Sequence, residues 1–394
     1  MKDLTCLKTY IIDSKDPHEV DDAFSIEIRE NNIKKLWIHI SNPCKLFQHD
    51  SNIDLDARRI NSSLYLTDQY VAMLPIEIID EANLSHNKIS ETISAVLEFN
   101  DDGSINKFEI KEAIIKPNYQ LTYEDANEIL ELEPKEEIEL VEIKNLLEKS
   151  IAFRKKQGAI IFETSNSKIN LYMNKIILTN VEKTLAQLIV AEAMILMGYV
   201  TSLYLDYNNL PAPYRTHNIN CDPNEILNKY KDSDIKYILL KQYIGRSYIT
   251  IKPNNHDSLG LKMYVQCTSP LRRYLDLIIQ RQIYNNINNY EIIPASTMVE
   301  IIDYSKSRQS ENNNIFKNDK LKYLTLFFKN ENKPFYKIIF VKWINQKRNI
   351  ALVFFPEYSL EILITLFVSI DIYSNKIYKV KYLMNDNNLL EFIY

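Results

Sequence analysis

The period of the apolar positions changes along the chain, and that change divides it. Residues 8–13, KTYIID, are a short apolar run ending on acid, which predicts a strand leading into an acidic loop. AFSIEIR (23–29) and LWIHIS (36–41) alternate or run apolar on either side of ENNIKK and predict a hairpin. Residues 94–99 and 105–115 predict a second strand pair around the turn DDGS. The pattern then becomes helical. Thr122 and Asp125 form a capping-box-like start with an acidic first turn. Further helices are predicted over 137–156, 182–206, 223–243, 270–286 and about 294–326, the last interrupted at the Asn-rich ENNN. Pro270 suits the first turn of its helix, where a missing N–H costs nothing. From Phe335 strands return as FYKIIFVKW, IALVFF, LEILITL, YKVKYL and LLEFIY, which predict a small OB-type β-barrel. The expected fold class is α+β, with a large mixed domain over residues 1–329, a linker over 330–334 and a degenerate OB-like barrel over 335–394.

Composition narrows this picture. A chain of 394 residues with 46% hydrophobic content can bury one large core and one small one. The formal net charge of −5 argues against coating nucleic acid by charge alone, so any such contact must be local, in a groove or channel. Cys6, Cys44, Cys221 and Cys267 form no CxxC pair and no zinc-type cluster with histidine, and they read as reduced thiols. The N-terminus MKDLTCLKTYIIDSKD lacks the apolar stretch and cleavage site of a signal peptide, so a cytoplasmic protein is expected. Residues 185–205 are long and apolar but carry Gln187 and Glu192. A charge at mid-bilayer is costly, so this segment reads as a core helix and no membrane association is expected.

Two segments carry candidate chemistry. DSKDPHEVDDA (13–23) holds Asp13, Asp16, Glu19, Asp21 and Asp22, balanced only by Lys15 and His18. Carboxylates at this density repel one another without cations, and their hard oxygens suit Mg²⁺ or Mn²⁺. The spacing is not that of an EF-hand loop. The plainer alternative is a solvated acidic loop between two strands. CTSPLRRYLDL (267–277) places Arg272 and Arg273 in the predicted first helical turn, where the helix dipole disfavours cations. That calls for an anionic partner, either a phosphate or a buried carboxylate. The plainer alternative is an ion pair between Arg272 and Asp276.

Together these segments resemble the catalytic RNB domain of the ribonuclease II / ribonuclease R family. IDSKDPHEVDDA is similar to that family's acidic signature, LWIHIS to its VHIAD strand and SSLYLTDQYVAMLP (62–75) to its SVYLPDRVIPMLP segment. RKKQGAIIFET (154–164), LIVAEAMILM (188–197), LPAPYRTH (210–217) and LGLKMYVQCTSPLRRYLDL (259–277) follow in family order, so the resemblance covers roughly residues 4–325. It implies a 3′→5′ exoribonuclease that hydrolyses single-stranded RNA to nucleoside 5′-monophosphates with Mg²⁺, or Mn²⁺ in its place. By the same resemblance Asp13, Glu19, Asp21 and Asp22 are metal ligands, and Asp21 and Arg272 are catalytic. Tyr65 and Phe162 are base-stacking aromatics, and Arg215 and Arg273 join the RNA-binding set. No obligate protein partner is evident.

The sequence also departs from the family pattern. Glu19 stands where Asp is usual, Asn42 replaces the Asp of VHIAD, and Ala191 replaces the first Glu of an IVEE motif, leaving Glu192. NNNIFKND (312–319) has lost most charges of an arginine-rich segment. By the resemblance the chain is expected to open on the catalytic domain, without the family's cold-shock-like domains. The barrel offers Lys337, Lys342, Lys347 and Arg348 for backbone contact but no clear aromatic signature. These losses support a rival reading, a decayed RNA-binding or scaffold protein. Asp13, Asp21, Asp22 and Arg272, all intact, argue against it. An endonuclease using the same site is a more distant rival.

Overall fold

Apolar alternation in the first part of the chain builds a seven-stranded sheet. Its order is Lys2–Asp3, Ile105–Ile115, Ser90–Phe99, Lys34–Ser41, Asp22–Ile28, Thr9–Asp13 and Tyr119–Thr122. The computed structural model describes residues 1–29, 33–162, 166–173, 175–331, 333–369, 371–383 and 390–394. Both predicted strand pairs are antiparallel neighbours, and the two edge pairings are parallel. The central strands are covered on both faces, which is why they read as nearly continuous apolar runs. Tyr10, Phe24, Ile26, Leu36, Ile38 and Ile93 face the helices, whereas Ile11, Ala23, Trp37 and Val96 face a smaller core with Leu4 and Leu84. Buried among them, His39 sits between the hydroxyls of Ser25 and Ser94, 2.8 Å from each, and burial pushes its pKa down to about 3.

The helices Tyr123–Leu132 and Ile138–Lys156 follow, the first opened by the predicted capping box of Thr122 and Asp125. The helix Leu185–Tyr207 opens on a second box, Thr184 with Gln187. By length and composition it is long and apolar enough to cross a membrane, but Ile189, Ala193, Leu196 and Val200 pack into the main core. Its internal Glu192 is paired with Arg154, whose Nε donates at 2.9 Å, and accepts from Ser150 Oγ at 2.7 Å. Gly198 has a packing reason. A Cβ there would lie 2.3 Å from the Val265 carbonyl, so only glycine lets this helix approach the segment that leads into the arginine motif.

Three predicted helices differ from those observed. The helix expected over 223–243 is two, Pro223–Lys229 and Lys236–Ile244. Between them the Ser233 hydroxyl accepts from the Ile235 N–H at 3.2 Å, a local turn that competes with helix. The helix expected over 270–286 is Tyr274–Ile287. Arg273 caps it and Arg272 precedes it, because residue 273 bridges Ser62 in a short β-pairing. The helix expected to break at ENNN runs unbroken as Ala295–Glu331, with Asn312 buried.

The C-terminal strands close a five-stranded barrel in the order Tyr336–Asn345, Ile350–Phe355, Leu360–Phe367, Glu391–Ile393 and Lys376–Leu383. Leu324 and Phe328 of the long helix lie inside its core with Tyr336, Phe355 and Phe392. The segment 330–334 is therefore no free linker. The helix runs to Glu331, and Lys333 Nζ donates to Tyr358 Oη at 2.8 Å, while Asn332 lies outside the described residues.

Candidate active site

The acidic loop leaves the sheet at Asp13, the last residue of one strand, and returns at Asp22, the first of the next. It turns through Asp16 at φ 53°, a left-handed conformation that Asp tolerates better than most residues. The return leg is pinned by backbone. Ser41 N donates to Asp21 O at 2.7 Å, and Leu84 N to Val20 O at 3.1 Å. Asp21 is 3% exposed. Its Oδ1 accepts from the Leu271 N–H at 3.0 Å and from Ser41 Oγ at 3.1 Å, and Arg272 Nε lies 3.6 Å from its Oδ2. The ordinary pairing of Arg272 with Asp276 is thus not made. Asp276 is taken by Arg273, whose Nε donates to it at 2.9 Å.

Burial dominates the electrostatics. It pushes the Asp21 pKa up to about 7, with Arg272 and the Leu271 N–H opposing. Asp22 keeps some surface open, but protein surrounds its carboxyl, and burial together with the charges of Asp21 and Asp13 pushes it up to about 8. Asp13 is raised by burial. Burial works against the Arg272 charge, but Asp21 and its neighbours hold it protonated. The Asp21 Oδ2 atom is buried without a hydrogen-bond partner among the described residues. Three hard carboxylates, all raised above the ordinary carboxylate range in the absence of a cation and one with an orphaned oxygen, fit a divalent cation of the Mg²⁺ or Mn²⁺ type. Asp13, Asp21 and Asp22 are the residues that would hold it, with their oxygens drawn closer together than they stand here.

Glu19 stands apart from this group. It is 5% exposed, and its oxygens accept from the hydroxyls of Ser63, at 2.7 Å, Tyr65 and Tyr70. No three of Asp13, Glu19, Asp21 and Asp22 bring ligand oxygens within 4.8 Å of one another; among the described residues only His49, Asp50 and Asp54 do so. There Arg58 already supplies a cation, 2.8 Å from Asp50.

The remaining sequence candidates fall in two places. Tyr65 is beside the acidic loop, 42% exposed, and its segment is stitched to the arginine turn by Ser63 N donating to Arg272 O at 3.0 Å and Tyr274 N to Asn61 O at 2.9 Å. Arg215 and Arg273 line a separate cavity of 640 Å³ with Tyr248, Gln309 and Asn313. Burial lowers the Arg215 pKa, and its Nη1 donates to Ser247 Oγ at 3.4 Å. Phe162 is half-buried against Tyr237, ring centres 5.7 Å apart, in the small core with Ile226 and Leu240. Sequence reasoning passed over Ser63, Tyr70 and His18, although Ser63 and Tyr70 lie in the same segment as Tyr65. It also passed over Tyr123, whose hydroxyl pKa is raised by burial and by Asp13 and Asp22.

An RNB domain family model matches residues 1–289. Chloroplastic and mitochondrial ribonuclease II of Arabidopsis thaliana is 30% identical over 342 residues, 83% of this chain and 42% of that protein. The chain spans about half the length of the curated relatives it matches. Among solved structures, Mycoplasma genitalium RNase R in complex with ribose-methylated single-stranded RNA shares the fold at a TM-score of 0.87 and 18% identity, over 100% of this chain and 71% of that one. Yeast Ssd1, a pseudonuclease, shares it at 0.71 and 17%, over 92% and 50%, so architecture alone does not separate proteins that cut from those that do not. With the family model spanning the acidic loop and the arginine turn, and with both meeting at one buried carboxylate, this chain belongs to the RNB domain family.

Proposed function

We propose that the protein is a 3′→5′ exoribonuclease that hydrolyses single-stranded RNA to nucleoside 5′-monophosphates at the Asp13–Asp22 loop. The observation that carries this reading is the meeting of Arg272 with Asp21, a guanidinium 3.6 Å from a buried carboxylate whose Oδ2 has no hydrogen-bond partner among the described residues. A decayed site has no need to keep buried carboxylates crowded in this way, because a buried carboxylate with one oxygen left unbonded costs stability.

Each residue then has a task. Asp13, Asp21 and Asp22 would hold Mg²⁺, or Mn²⁺ in its place, and such an ion, when bound, activates water and stabilises the leaving oxygen. Arg272 balances the charge that develops on the phosphate in the transition state. Leu271 N–H and Ser41 Oγ fix the Asp21 carboxylate, so that it does not reorganise during the reaction. Tyr65 offers an exposed ring to the terminal base, a contact that any base can make. Arg215 lines the cavity assigned to the RNA backbone together with Arg273, whose charge is balanced by Asp276, and Phe162 is assigned to the grip on RNA through the family resemblance.

The test is a time course on 5′-end-labelled RNA with Mg²⁺. A ladder shortening from the 3′ end, with mononucleotide as product, is expected. Internal fragments would assign an endonuclease, and intact RNA that nevertheless binds would assign the decayed binding protein.

A further inference from the structure

The environment of Glu19 does not suit a metal ligand. A carboxylate oxygen offers two in-plane lone pairs, and both on Oε1 are used, by Ser63 and by Tyr70. Oε2 accepts from Tyr65. The Ser63 hydroxyl is directional, because its oxygen accepts from the Met73 N–H at 2.9 Å and its proton is committed to Glu19. Three neutral donors therefore solvate the charge in place of water. Burial and the bond to Glu19 raise the hydroxyl pKa values of both tyrosines, so both remain donors across the physiological range.

What this cage holds in place is aromatic. The Tyr65 and Tyr70 rings are 5.3 Å apart, and His18, on the exposed loop, stacks on Tyr70 at 4.0 Å with an interplanar angle of 2°. His18 lies 6.2 Å from Tyr65. Three rings thus meet beside the Asp13–Asp22 carboxylates, and Tyr65 and His18 both present surface to solvent. Tyr65 sits on a strand of only two residues, Leu64–Tyr65, so its ring orientation depends on side-chain bonds more than on backbone pairing. An Asp at position 19 would be one carbon shorter and would not reach both tyrosine hydroxyls from the same backbone.

We propose that Glu19 is a positioning residue, which fixes Tyr65 and Tyr70, with His18 stacked behind them, as a platform for the terminal nucleobase, and that it is not a fourth metal ligand. This rests on the reading of the site as an RNA-binding one. The experiment uses the full chain and two readouts that need no turnover. The first is quenching of a 3′-terminal 2-aminopurine in single-stranded RNA, measured in chelator. The second is binding of Mn²⁺ alone.

The wild type should quench the probe. Glu19→Gln keeps an oxygen acceptor for the hydroxyls and should leave both quenching and Mn²⁺ affinity within about two-fold, taking less than half of a stacking contact as the tolerance. Glu19→Ala should lose most of the quenching and weaken RNA about ten-fold, in the range of one stacked base, with Mn²⁺ affinity unchanged. Tyr70→Phe keeps the ring and removes one bond, and should fall between them, which covers the case in which Glu19→Ala fails to fold. Intact quenching in Tyr70→Phe and Glu19→Gln, together with a large loss of Mn²⁺ affinity in Glu19→Gln, would assign Glu19 to the metal and overturn the proposal. A wild type that quenches nothing would remove the RNA reading itself, and this proposal with it.

Discussion

Asp21 shows how one side chain carries opposed demands. Its burial raises the pKa to about 7 and leaves Oδ2 without a partner, so the carboxylate costs stability unless a cation offsets it. Asp21→Asn removes that charge while the amide keeps an oxygen for the Leu271 N–H and Ser41 hydroxyl. The variant is expected to lose hydrolysis while retaining RNA binding, and its melting temperature at pH 8 in chelator should equal or exceed that of the wild type. Degradation of poly(A) at near wild-type rate would remove Asp21 from the mechanism. Glu19→Asp separates motif from geometry in the same loop. By motif alone the change is tolerated and restores the family's usual ligand length. By the hydroxyl cage it releases Tyr65 and Tyr70. The expected result is therefore a longer limit product than wild type on a single-stranded substrate, read on a sequencing gel. An unchanged product length favours the motif.

At the scale of elements, the Asn-rich stretch of the long helix has a role that its composition conceals. It reads as a break in the helix and as a loss of RNA-binding charge. In the fold, Asn312 Nδ2 donates to Ile60 O at 3.0 Å and to Ser62 Oγ at 3.1 Å, and Asp319 accepts from both Thr67 N, at 3.0 Å, and Thr67 Oγ1, at 2.7 Å. Arg308 Nε reaches Arg59 O at 2.7 Å. The helix Ala295–Glu331 is thereby clamped along residues 59–67, the segment that carries Tyr65 and pairs with the arginine turn. Asn312→Ala removes the part-buried bonds to the Ile60 carbonyl and the Ser62 hydroxyl and is expected to cost about 0.5–1.5 kcal/mol per bond in urea unfolding. Asn313→Ala, on the exposed side, should stay within about 0.5 kcal/mol. Equal effects of the two would mean that the clamp contributes nothing.

For the whole molecule, two sets of buried groups set the pH dependence of stability in opposite directions. Asp21 and Asp22 have folded pKa values of about 7 and about 8, above an ordinary carboxylate, so their contribution is lost as pH rises through those values. His39 and His256 are pushed down by burial to about 3 and about 4, so theirs is lost as pH falls below the ordinary histidine value near 6.5. Between about pH 5 and 6.5 the folded chain gains two carboxyl protons and forgoes two imidazolium protons, and the two effects cancel. Above pH 6.5 only the carboxyls act. The protein in chelator is expected to show flat stability up to pH 6.5 and a fall on the order of 1–2 kcal/mol by pH 8. Mg²⁺ should remove most of that fall, since it replaces the displaced protons. Thermal melts across this range check it, and a metal-independent profile would place the titrating groups elsewhere.

Much of this was determined by the sequence alone. The two strand pairs, the helix Tyr123–Leu132, the apolar core helix and the five barrel strands each carry their own local pattern, so periodicity and turn chemistry signal them. The acidic loop and the arginine turn were legible for the same reason, each being a dense run of charge whose chemistry is local. Partner choice was decided only by the tertiary structure. Arg272 took Asp21, in a loop whose Oδ1 is bonded 250 residues along the chain, and left Asp276 to Arg273, because the bridge to Ser62 holds both arginines out of the helix. Glu19 is met by three hydroxyls from one neighbouring segment, a contact that its place in an acidic run does not record. The unbroken long helix had the same origin. Weak local helix preference in its Asn-rich stretch was outweighed by hydrogen bonds to a segment about 250 residues away, and no periodicity within the helix records that contact.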